Sequence, residues 1–389
     1  MRVVEITAHH VRIPLRRSIK HASHVRSETD NVVIHCVLDD GTEGFGEGVP
    51  RDYVTGETID SDLALLKGSD LRSQLEPCEN FAAAVGWAEQ LQLAPVAGDD
   101  RRCQGNAARC ALELAILDAY GNGFREPVST VTRIVAPELH QPRDRVRYSG
   151  AIMSARGFKI RLAAWSMRLY RFRQVKIKVG IVGHDDASRL KTARRILGSR
   201  RDIRVDANEA WQAGEVVERI RSLEPQGISA VEQPVSHAQV EALAEIRKLV
   251  RTPIMLDESL CGMVDAERAV ERGTCDLFNL RLSKCGGFIP SLRLVQFARR
   301  HGLGYQLGCQ VGETAILSAA GRHFASSVAD LRYVEGSYDS HLVREALAVE
   351  NLTFGWGGWA PALTRPGLGV TIDPAALQRV TVRKEQLVG

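Results

Sequence analysis

Two lysines set two residues apart, Lys176 and Lys178, interrupt the apolar run VKIKVG at 175–180. Alternation at period two puts both amines on one face of a strand. On an edge strand they would simply face water. On an inward face each lowers the pKa of the other, which favours a neutral amine able to take a proton. Further strand-like runs follow, each ending in a charged residue: IRVDANE with Asp206, ISAVEQPV with Glu232, PIMLDES with Asp257 and LFNLRLS with Arg281. Any one of these carboxylates is explained by a buried ion pair. Three from successive strands repel one another unless a cation holds them. Ligation by carboxylates alone is hard-metal chemistry, with Mg²⁺ the natural candidate.

These charged residues recur about 25 residues apart, the length of one strand, one loop and one helix. RYSGAIM reads as the first strand of such a series, VKIKVG as the second, the four runs above as the third to sixth, GYQLGCQ as the seventh and LRYVEG as the eighth. DASRLKTARRILG and HAQVEALAEIRKLV between them read as amphipathic helices. Closed into a barrel, with the eighth helix short or replaced, the series brings the carboxyl ends of all its strands to one mouth. Residues 126–145 read as a Pro-rich linker and entry turn. Ahead of them lies a separate α+β unit. VVEITAHHVRIPL alternates, and NVVIHCVLDDGTEGFGEG reads as two strands around a turn at Asp40 and Gly41. The glycines of GTEGFGEG lack the strand-and-helix frame of a nucleotide loop and are taken as hairpin punctuation. RSIKHASHVRSETD, with His21 and His24, is expected to be a loop, and residues 58–122 helical.

The chain has 389 residues, 44% hydrophobic and 25% charged, which is ordinary for a soluble globular protein. Lys and Arg number 51 against 47 Asp and Glu, a net charge of +4 that argues for no polyanionic partner. Basic clusters at 171–173, at Arg200 and Arg201 and near 300 are read as solvated helix faces, and no nucleic-acid binding is expected. Eight cysteines without C-x-x-C spacing indicate neither a zinc site nor a disulfide frame, and a reducing, cytoplasmic setting fits. Charges break the first apolar run, so it does not read as a signal peptide. No apolar run is long enough to span a membrane.

Taken in order, VKIKVG, VDANEAW, VEQPV, MLDESL and NLRLSKCGG resemble the enolase superfamily, and within it the mandelate racemase/muconate-lactonizing-enzyme group. The resemblance covers nearly the whole chain. It implies an α/β fold: a modified (β/α)₇β TIM-type barrel over 126–350, an α+β capping domain over 1–125, and a C-terminal segment, 351–389, returning to the cap. It implies Mg²⁺ held by Asp206, Glu232 and Asp257, Lys178 as the acid/base, and a small-molecule carboxylate substrate that loses its α-proton. A symmetric homo-oligomer is the family expectation.

The chemistry is consistent with that. A proton next to a carboxylate is very weakly acidic, because its removal leaves an enediolate, and a divalent cation stabilises the charge that develops. Lys176 is expected to act as electrostatic neighbour and carboxylate contact. Glu258 is expected to be a structural partner on the other face of its strand. Asn208 shares the face of Asp206 and would bond a metal-bound water or Lys178. Strands two and six face each other across the ring. Racemases and epimerases of the group carry a second lysine at the sixth-strand end, where this chain has Arg281, which keeps its proton. Lys284 falls on the opposite face, a poor replacement for that lysine, and stays a candidate substrate contact or supporting residue. The expected reaction is therefore a one-base cycloisomerisation or elimination, in the manner of a muconate cycloisomerase. An amino-acid or dipeptide racemase or epimerase, or a metal-binding barrel without turnover, is the alternative. Glu313 and Asp339 are candidate substrate contacts after strands seven and eight. His341 is expected at the surface.

Overall fold

The computed structural model describes residues 1–20 and 25–389. The chain opens with three antiparallel strands, β1 (Val3–Lys20), β2 (Val25–Leu38) and β3 (Glu43–Gly48). Four helices follow: α1 (Ile59–Gly68), α2 (Phe81–Gln90), α3 (Asn106–Phe124) and α4 (Thr130–Val135). After a short strand β4 (Arg145–Arg147), strands and helices alternate. They run β5 (Gly150–Ile152), α5 (Phe158–Leu169), β6 (Gln174–Lys178), α6 (Asp186–Leu197), β7 (Asp202–Asp206) and α7 (Val216–Leu223). Then come β8 (Ile228–Glu232), α8 (Leu243–Leu249), β9 (Ile254–Leu256), α9 (Met263–Arg272) and β10 (Leu277–Leu280). α10 (Phe288–Arg300), β11 (Gly304–Leu307), α11 (Ala315–Ser327) and a short α12 (Asp339–Leu342) complete the series. The chain ends with β12 (Trp359–Pro361), α13 (Pro374–Val380) and β13 (Thr381–Val388).

β5 to β11 form one parallel sheet in sequence order, the signature of repeated right-handed β/α units. The first of its strands is shorter than RYSGAIM. The residues ahead of it, in β4, pair instead with β12. LRYVEG forms no ladder but a closing segment. Leu307 N–H donates to Tyr333 O, Glu335 N–H to Leu307 O, and Ser149 N–H to Val334 O, so it joins β11 to the start of β5 and shuts the ring. β13 pairs antiparallel with β1, giving the second sheet the order β13-β1-β2-β3. No helix among the described residues is long and apolar enough to cross a membrane.

Three expectations need correction. The stretch RSIKHASHVRSETD is mostly ribbon: β1 and β2 stay paired out to Lys20↔Val25. Exposure of residues 16–18, 27 and 28 left no hydrophobic alternation to read there. His21 and His24 lie outside the described residues. The linker at 126–145 contains α4 and a turn of 3₁₀ helix at Pro137–Leu139. The glycines of β3 are not punctuation. A Cβ on Gly44, Gly46 or Gly48 would run into the backbone of Ala119, Ala111 or Ala107, so the three let α3 lie directly on the strand through its alanine face. Glu47, between them, points the other way. It accepts from Thr314 N–H at 3.0 Å, Thr314 Oγ1 at 2.8 Å and Leu317 N–H at 3.0 Å, at the start of α11.

Candidate active site

Register in the parallel sheet decides what meets at the mouth. Lys178 is paired with Asp206, and Asp206 with Glu232. Glu232 pairs with Met255, which puts Asp257 just past the next strand end. Asp206, Glu232 and Asp257 are buried, at 0–1% exposure. Around them stand cations from the chain itself. Lys176 Nζ lies 3.3 Å from Asp206 Oδ2, 3.3 Å from Glu232 Oε1 and 2.9 Å from Glu335 Oε2. The Arg281 guanidinium donates to Asp257 Oδ2 and lies 4.0 Å from Glu232 Oε1. Lys284 Nζ donates to Asp257 Oδ1 at 2.9 Å and to the carbonyls of Asp257 and Asn279.

These contacts set the protonation states. Burial works to lower Lys176, but Glu232, Glu335 and Asp206 outweigh it and hold the amine well above the ordinary lysine range. The expectation that Lys176 and Lys178 depress one another is therefore corrected for Lys176, which is fixed as a cation. Burial works to raise Asp257, yet Arg281 and Lys284 bring it down to about 2. Glu232 goes the other way. Burial first, then the charge of Asp206, push it well above the usual carboxylate range even with Lys176 beside it.

Lys178 shares the face of Lys176 but is only half-buried, and among the described residues nothing engages its amine. Asn208 does not reach it. Its side chain donates to Glu258 Oε1 at 3.3 Å, while its N–H donates to Asp206 Oδ1 at 3.0 Å. Glu258 is buried beside Asn208. Glu313 lines a small cavity of about 10 Å³ with Glu335 and Tyr148. Burial pushes its carboxyl up to about 8 despite the Gln310 N–H donated to it. Asp339 is buried and accepts from Ser318 Oγ at the start of α12. His341 sits in the same short helix and is exposed.

Three participants escaped the sequence reading. Glu335 binds Lys176 and Arg204 from the closing segment, and the rule that each strand ends in a charged residue would have found it in LRYVEG. Arg204, buried two residues before Asp206 on the same face, was legible from the same alternation. Gln233 accepts the N–H groups of Asp257 and Ser259 and donates to Ser259 Oγ, so it fixes the loop that carries Asp257. Gln233, Asn208 and Glu209 all have positive φ, at 36°, 43° and 64°. Strain of that kind gathers where a fold holds functional groups in place.

Among the described residues no three acidic, histidine or cysteine side chains surround one point as they stand. The donor set nevertheless fits a hard divalent cation. All its atoms are carboxylate oxygens from consecutive strand ends, all three side chains are buried, and the charge of Asp206 adds to burial in raising Glu232 even with Lys176 beside it. In this structure Arg281 and Lys284 take up the charge of Asp257.

Residues 160–376 match the family described as Enolase C-terminal domain-like. Over 388 residues the chain is 27% identical to the N-succinyl-L-Arg/Lys racemase of Bacillus cereus, covering 98% of each. The crystal structure of that racemase superposes with a TM-score of 0.85 at 26% identity, over 99% of this chain and 100% of the other. The muconate lactonizing enzyme of Pseudomonas fluorescens, solved with muconolactone, gives 0.82 at 26% identity, over 97% and 99% of the two chains. A dipeptide epimerase from Cytophaga hutchinsonii, solved with Mg and D-Ala-L-Val, shares the fold at TM-score 0.83 and 22% identity, over all of both chains. From the strand order, the carboxylate-bearing strand ends and the match across its barrel, the chain is an enzyme of the enolase superfamily, in the mandelate racemase/muconate-lactonizing-enzyme group.

Proposed function

We propose that this enzyme removes the α-proton of an N-acylated amino acid or dipeptide and returns it to the opposite face, as a racemase or epimerase. The reading is carried by the similarity, over almost all of both chains, to a racemase of N-succinylated basic amino acids. It replaces the muconate-cycloisomerase-like expectation as the main reading. Asp206, Glu232 and Asp257 would hold Mg²⁺, which supplies positive charge at the substrate carboxylate. Lys178, half-buried and unengaged among the described residues, takes the proton. Lys176, held charged by its three carboxylates, supports the developing negative charge from below. Arg281 supplies a fixed cation on the far side. Since it keeps its proton, the return comes from Glu313, whose carboxyl at about 8 carries one at neutral pH.

A second reading rests on Arg281 alone: with no lysine at that strand end, Lys178 works as the single base of a cycloisomerase or lyase. Incubation of Mg²⁺-loaded enzyme with N-succinyl amino acids and dipeptides in D₂O separates the two. Deuterium at the α-carbon with inversion supports the racemase. Deuterium with retained configuration, or conversion to an unsaturated or cyclised product, supports the one-base reading.

A further inference from the structure

The amino ends of the barrel strands, opposite the catalytic mouth, carry charge of the other sign. Arg143, Arg145, Arg147, Arg173, Arg200 and Arg332 line one groove of about 740 Å³. They come from the segments that lead into β4, β6, β7 and the closing stretch, so barrel geometry rather than chain proximity gathers them. Arg145 and Arg147, two apart on β4, both stack over the indole of Trp359, at 4.3 and 5.0 Å from its centroid. Stacking orients a guanidinium but leaves its charge in place. Two carboxylates, Asp144 and Asp202, share the groove, and Asp202 accepts from Ser229 Oγ. Among the described residues none of the six arginines forms an ion pair. Burial, then the neighbouring Arg173, Arg145 and Arg201, push Arg147 below the ordinary arginine range.

Six arginines against two carboxylates leave the groove with excess positive charge, which favours an anion. The guanidinium fork fits tetrahedral phosphate oxygens in pairs. A single carboxylate would answer one arginine of six, whereas linked phosphates place several charges across a groove of small-ligand size. We propose that this groove binds a small oligophosphate anion, at a site separate from the catalytic mouth. Arg145, Arg173, Arg200 and Arg332 are exposed and supply the contacts, while Arg147 is anchored to the carbonyls of Gly357 and Arg171.

The test is calorimetric titration of the whole, metal-free protein with sodium tripolyphosphate, and separately with citrate, at physiological ionic strength. Saturable binding of tripolyphosphate, about tenfold or more tighter than citrate, is expected. Arg173→Gln with Arg200→Gln should weaken it by about a hundredfold, since each removes a charged hydrogen-bond donor. Arg299→Gln with Arg300→Gln, on α10, removes the same charge elsewhere and should bind as wild type. No saturable binding by wild type, equal affinity for citrate, or equal loss in the two double variants would each refute the site. A Trp359→Leu variant, which removes the platform but no charge, gives a further check: binding should fall while its steep salt dependence remains, and unchanged affinity counts against the groove.

Discussion

Lys176 Nζ stands 2.9 Å from Glu335 Oε2, joining the second barrel strand to the segment that closes the ring. The same carboxylate accepts from Arg204, and Lys176 and Arg204 together bring Glu335 down to about 2 although burial opposes it. The floor of the site is thus a buried charged network. Removing one partner leaves a buried charge unanswered. Glu335→Gln should destabilise the fold by about 3–5 kcal/mol, read by urea denaturation. A loss below about 1 kcal/mol would mean the network is not a structural unit.

Lys178 is the proton acceptor in both functional readings. Lys178→Ala should keep the fold, because among the described residues its amine holds nothing. It should lower α-proton exchange in D₂O by about a thousandfold, the range for loss of a general base. Exchange persisting in the variant would remove Lys178 from that role.

In the proposed racemisation Arg281 and Glu313 divide the work on the far side. Glu313→Gln should leave deuterium exchange near its wild-type rate and abolish inversion, as judged by chiral chromatography of the product. Arg281→Lys puts a titratable amine at the strand end and should restore inversion to the Glu313→Gln enzyme. Inversion that survives Glu313→Gln alone rules out the carboxyl as proton donor.

Metal loading should be visible without turnover. Protein stripped with chelator should gain thermal stability as Mg²⁺ is added, rising with the logarithm of its concentration once the site is filled. Asp257→Asn should remove most of that gain. A melting temperature indifferent to Mg²⁺ would count against the three-carboxylate site.

A buried pair in the cap makes stability pH-dependent. Burial pushes Glu57 up to about 7, and burial with the charge of Glu57 pushes Asp62 well above the carboxylate range. A raised carboxyl binds its proton more tightly folded than unfolded. Its contribution is complete below the ordinary value and is lost as pH climbs through the folded one. Stability should therefore fall between about pH 4.5 and 7 on account of this pair, and Asp62→Asn should flatten the fall. Identical pH profiles for wild type and variant would show that the pair does not titrate there.

The row of acidic strand ends was legible because its logic is local. A strand ending in Asp206, Glu232 or Asp257 shows its period and its charge within a few residues. Glu335 obeys the same rule, yet its segment reads as an ordinary strand until the ring is closed around it. Gln233 could not be read, because its task, holding the Asp257 loop, is set by a neighbouring strand. The arginines at 171–173 and 200–201 look like solvated charge in sequence. Only the convergence of strand starts brings Arg173 and Arg200 to one groove. The glycines of β3 misled for a similar reason: their partner, the alanine face of α3, lies about sixty to seventy-five residues away.

β3 is anchored on both sides, backbone against α3 through Gly44, Gly46 and Gly48, and through Glu47 into the first turn of α11. No side chain in that first contact can change rotamer to absorb a displacement. Any tilt of the N-terminal sheet is thus handed on to Thr314 and to its neighbour Glu313, so the group proposed to reprotonate the substrate is geared to that sheet as to a lever.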